Sequence, residues 1–139
     1  MLGRWFKMAM KTFKDQTGQT LIIKSRPHAI IFERPIKEND LLNFNAAVAS
    51  EFKNYLEKEV NYCWDNFSPK EANSFGSDYE EYYDRLLDSN GNLAIKDYSK
   101  DGLFLSTERP NNDFEKCFQF TKRKMESFIY DLNILESKI

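Results

Sequence analysis

The densest run of chemistry-bearing side chains is Asp78-Tyr79-Glu80-Glu81-Tyr82-Tyr83-Asp84, where carboxylates alternate with phenols. Read as a short helix over residues 78–88, capped by Ser77 or Asp78, it puts Tyr79 and Tyr83 on one row. Tyr82 falls with Leu86, about 100° round from that row, so a single apolar stripe does not bury all three rings. At least one tyrosine is then left at the surface among acids. Rigid rings anchor a partner, while carboxylates steer and select a cationic one. These seven residues are the candidate partner-binding site, and the partner they suit is a basic protein.

Other constellations fail on spacing. His28 is the only histidine, and it sits in an apolar run beside Pro27 with no nucleophile motif near it. A structural zinc site needs four ligands, and His28, Cys63 and Cys117 are three residues without ligand spacing. Asp88-Ser89-Asn90-Gly91 looks superficially like a calcium loop. The positions that require glycine and glutamate hold Leu93 and Ser99 instead. Glu57 with Glu59, or Glu80 with Asp84, could be paired as acid and base, but any acidic helix surface offers such pairs. Gly18, Gly76, Gly91 and Gly102 are isolated, so there is no phosphate loop. No catalytic residue, metal ligand or cofactor site is assigned.

Composition narrows the class further. At 139 residues, 41% hydrophobic and 15% aromatic, the chain is expected to form a single globular domain over 1–139. A net charge of −2 argues against nucleic acid as the partner. The charge is nevertheless polarised. Arg4, Lys7, Lys11, Lys14, Lys24 and Arg26 face Asp15 alone in residues 1–26, whereas residues 65–88 are rich in acids. A nucleic-acid surface using the basic start with Trp5 and Phe6 is the weakest reading. No apolar run reaches the length of a membrane span, and Lys7 and Lys11 interrupt the only candidate leader. Cys63 and Cys117 read as reduced, separate thiols, which with the missing leader implies a cytoplasmic protein.

The element expected to organise the chain is a helix over residues 39–67. Leu41, Phe44, Val48, Phe52, Tyr55, Leu56, Val60, Cys63, Trp64 and Phe67 recur at steps of three and four, and Asn39 or Asp40 caps the start. Before it, residues 5–13, 20–24 and 28–33 read as an antiparallel meander, with Phe6, Met8 and Met10 on one side of the first strand. After the acidic helix come strands at 92–98 and 103–107, then residues 115–120, which alternate as a strand although 114–121 also fits a helical step, and a helix at 122–136 capped by Thr121. The fold class is α+β. A mostly antiparallel sheet in two groups of about three strands packs on one long central helix, with a short acidic helix and a C-terminal helix.

Two functions fit this outline. The first is a small non-enzymatic binding domain that docks on or neutralises a basic protein, as immunity-protein- and antitoxin-like inhibitors do to a toxin or effector. The second is an enzyme or small-ligand-binding domain with a site in a cleft between sheet and long helix.

Overall fold

Period-two alternation of apolar residues builds the sheets. A computed structural model of the chain describes residues 9–35, 37–72, 93–108 and 116–139. Its elements are β1 (Ala9–Lys14), β2 (Thr20–Arg26), β3 (Ala29–Arg34), β4 (Leu41–Asn45), α1 (Ala46–Cys63), β5 (Ala94–Ser99), β6 (Gly102–Ser106), β7 (Lys116–Phe120) and α2 (Lys122–Ser137). They form two antiparallel sheets, ordered β1-β2-β3-β7 and β4-β6-β5, so the architecture is α+β. No helix among the described residues is long and apolar enough to cross a membrane.

On the first sheet Phe13, Leu21, Ile23, Ile30, Phe32, Phe118 and Phe120 point inward; on the second Leu42, Phe44, Leu103 and Leu105 do. Phe52 on α1 joins the two. Its ring centroid lies 5.8 Å from Phe13, 5.9 Å from Phe32 and 5.6 Å from Phe44. α2 closes the far side, where Phe128 lies 5.7 Å from Phe32 and 5.4 Å from Phe120. Among the described residues, packed rings from α1, α2 and both sheets meet at this junction.

The long helix is shorter than its periodicity predicts. Leu41–Asn45 is a strand paired with β6, and the cap is Asn45, whose side chain accepts from the Val48 N–H at 2.9 Å. Leu42 and Phe44 are buried while Leu41, Asn43 and Asn45 are exposed, which is strand alternation and not a helical stripe. At the other end the helix stops at Cys63, and Trp64 is extended. The inward side of β1 also differs from the expected one: Phe13 is buried, whereas Met10 is 67% exposed. His28 is not inside a strand. It is exposed in the β2–β3 turn at φ 67°, a left-handed position that histidine tolerates better than most residues.

Cys117 pairs in register with Glu33 on the outward face of the first sheet, while the buried Cys63 approaches Ala29 O from the core side. The two thiols are not bonded to each other. Thr121 caps α2 directly after β7, as its position in the sequence predicts. The predicted acidic helix, residues 78–88, lies outside the described residues, as do Trp5, Phe6 and Met8.

Candidate functional site

Asp78, Tyr79, Glu80, Glu81, Tyr82, Tyr83 and Asp84 all lie outside the described residues, so the fold gives only the roots of their segment. The upstream root is tied to α2. Ser68 N–H donates to the Glu126 carboxylate at 2.9 Å, and Lys70 N–H donates to Glu126 O at 3.2 Å. Arg123 donates to Glu71 O at 2.7 Å and also to Ser127 Oγ. Glu126 is only 2% exposed, so this anchor is built into the fold. The downstream root is Leu93, fully buried, which leads into β5.

Along β5 the chain reaches a polar hollow on the outer face of the second sheet. Its volume is about 260 Å³, and Gln16, Asn43, Asp97, Ser99, Asp101, Gly102 and Phe104 line it. Strand register explains the grouping. Asn43 on β4 and Asp97 on β5 both pair with Phe104 on β6, so amide, ring and carboxylate form one row across the sheet. Leu103 and Leu105 point into the core, which turns Phe104 outward, where it stays half-buried. A bulge between Ile95 and Asp97 resets β5, and Asp97 lies exposed on the outward side. Ser99 Oγ accepts from Asp101 N–H at 3.1 Å, which fixes the adjoining turn.

Gly102 makes the wall thin. Its φ is +142°, and a Cβ there would stand 1.9 Å from Phe44 O. No other residue fits this close approach of β6 to β4.

The other wall is held by Asp15. One carboxylate oxygen accepts from Thr17 N–H, Thr17 Oγ1 and Gln19 N–H, each at 2.8 Å, and the other accepts from Asn43 N–H at 2.9 Å. Gln16 N–H in turn donates to Asn43 O at 3.2 Å. The β1–β2 turn thus covers the free edge of β4 and brings Gln16 beside Asn43. Burial by itself would raise the pKa of Asp15, but the bonds from Asn43, Thr17 and Gln19 outweigh it and hold the group below its ordinary value.

Behind this wall lies Arg34, 1% exposed. Its five N–H donors reach Thr20 O at 2.6 Å, Asn39 O at 2.7 Å, Asp40 O at 3.3 Å, Glu38 Oε1 at 3.5 Å and Thr107 Oγ1. It links the first sheet to the strand that follows and to the chain leaving β6. Burial lowers its pKa, and Glu38 opposes that fall.

Chemically the hollow offers two carboxylates, two side-chain amides, a hydroxyl and an aromatic face. Among the described residues that line it there is no cation. Among the described residues no group of three or more His, Cys, Asp and Glu could hold a metal ion. A second recess of about 250 Å³ lies along Ala9, Met10, Lys24, Ser25 and Arg26. There Lys24 is already paired with Glu33 at 2.7 Å. The buried Ser25 hydroxyl lies near enough to Tyr55 to oppose the rise in that phenol's pKa. That rise comes first from burial and then from Glu59.

Of the acid–base pairs read from the sequence, Glu57 is bound up with Lys53 at 3.4 Å, and Lys53 also reaches Glu136 at 2.8 Å. Tyr98 donates to Glu136 at 3.3 Å and is pushed up to about 12, mainly by burial and then by Glu136. It stays protonated at neutral pH, as a brace between β5 and α2. Asp97 and Asp101 carried no signal in the sequence, because isolated aspartates near a turn are ordinary. Only the pairing of β4, β6 and β5 gathers them with Phe104 and Asn43.

No protein-family model, curated protein or solved structure matches the chain.

Proposed function

We propose that this protein is a non-enzymatic binding domain that docks on a basic protein partner, in the manner of an immunity-protein- or antitoxin-like inhibitor. The observation that carries the reading is the hollow on the second sheet, with Asp97, Asp101 and a half-buried aromatic and no lining cation among the described residues. The acid–tyrosine segment supports it from the sequence. Its downstream root at Leu93 is four residues from Asp97, roughly 13 Å along an extended chain.

The test is affinity capture at low salt from the cells that make the protein, followed by kinetics with the purified partner. The wild-type chain is compared with one carrying Glu80→Lys, Glu81→Lys, Asp84→Lys, Asp97→Lys and Asp101→Lys. A basic protein held by the wild type should associate more slowly with the charge-reversed chain, and its association rate should lose most of its salt dependence. Equal rates for both chains, or a captured partner that is acidic, would overturn the reading.

A further inference from the structure

The hollow is more selective than a patch of negative charge. We infer that it takes the guanidinium of an arginine side chain presented by the partner, laid against the ring of Phe104 between Asp97 and Asp101. The inference rests on the basic-partner reading and deepens it.

Size comes first. About 260 Å³ is many times the roughly 30 Å³ that one water occupies, so the space suits an organic group and not a bare ion. Ligand count agrees, since no three metal-ligating side chains gather among the described residues.

Shape then decides between the two common cationic side chains. The row Asn43, Phe104, Asp97 runs across the sheet face, with the ring in the middle and acceptors on either side. A planar guanidinium stacks on such a ring and still directs its N–H groups sideways to a carboxylate and an amide oxygen. An ammonium is a compact, strongly hydrated point charge. It gains from the carboxylates but cannot match ring and rim together.

The backbone of the walls is also held in place. Asn43 is fixed through its own N–H and C=O by the 15–16 turn, and Asp101 N–H is held by Ser99. The backbone that carries these side chains is thus set, and Gln16 Nε2 donates to Asn43 Oδ1 at 3.4 Å, which leaves that oxygen a second lone pair for a ligand.

The experiment uses the full chain with two acetylated, amidated Gly/Ser pentapeptides, one bearing a central arginine and the other a central lysine. Binding is followed by amide chemical shifts in NMR at low salt. The arginine peptide should shift the amides of Asn43, Asp97, Gly102 and Phe104 and bind about 3–5-fold more tightly than the lysine peptide. Phe104→Leu should remove that preference. Asp97→Asn with Asp101→Asn should weaken both peptides by about 3–10-fold. Equal binding of the two peptides to the wild-type chain would overturn the arginine inference and leave the basic-partner reading standing. Shifts from neither peptide, or shifts only outside the hollow, would overturn both for this site. The comparison on the wild-type chain decides the matter even where a variant fails to fold.

Discussion

Replacing Arg34 by methionine should remove a large share of this protein's stability. The side chain is 1% exposed, and its guanidinium makes five hydrogen bonds across three parts of the chain. Methionine retains most of the stem's bulk but none of the donors. Asp40 O keeps bonds from Thr107 N–H at 2.8 Å and Thr107 Oγ1 at 2.7 Å, so it is not stranded. Thr20 O and Asn39 O lose their shortest side-chain donor, and Glu38 loses its cation. An unpaired buried polar group costs about 1–3 kcal/mol, and truncating one member of a buried charged network costs about 3–5 kcal/mol. We expect Arg34→Met to lose about 3–5 kcal/mol of a total stability on the order of 5–15 kcal/mol. For a chain of this length that is roughly 10–20 °C in Tm. Urea unfolding should show a lower midpoint at nearly constant slope, since the exposed surface changes little. Arg34→Lys keeps the charge with fewer donors and should lose about half as much. A double-mutant cycle with Thr107→Val should give a coupling of at least about 0.5 kcal/mol, because the two side chains touch. If Arg34→Met unfolds within about 1 kcal/mol of wild type, the guanidinium does not join the sheets in the way described.

The acid limb of stability should depend on Asp15. Its pKa is held below the ordinary 3.8, so its contribution is complete above that value and fades as pH falls through the lower folded value. Urea titrations should show Asp15→Asn clearly less stable at pH 7, with the gap to wild type narrowing below about pH 4. Gly102→Ala would place a methyl 1.9 Å from Phe44 O at a φ of +142°, and should lower Tm by roughly 10 °C or more in a melting scan, or abolish folding. Phe52→Ala empties the junction between Phe13, Phe32 and Phe44 and should cost about 3–5 kcal/mol in equilibrium unfolding. An unchanged Tm there would mean the sheets are joined by something other than this ring.

Local patterning was enough to place the β2–β3 hairpin, the middle of α1 and the cap of α2, while 114–121 fits a helical step as well as the strand that β7 forms. Each rests on neighbours in sequence: β-branched alternation, a 3.6-residue stripe, a threonine before a polar–apolar run. Leu41–Asn45 shows where that reasoning stops. Leu41 and Phe44 fit a helical step as well as Leu42 and Phe44 fit a strand, and both periods are present in five residues. Pairing with Gly102–Ser106, some sixty residues away, selects the strand. The same non-local step sends β7 to the first sheet beside β3 and β4 to the second, although the strands come in runs along the chain. It also makes the hollow. Asn43, Asp97 and Phe104 belong to three strands, and no sequence window contains them together. Only hydrogen-bonded register, which depends on distant backbone groups finding one another, sets an amide and a carboxylate on either side of one ring.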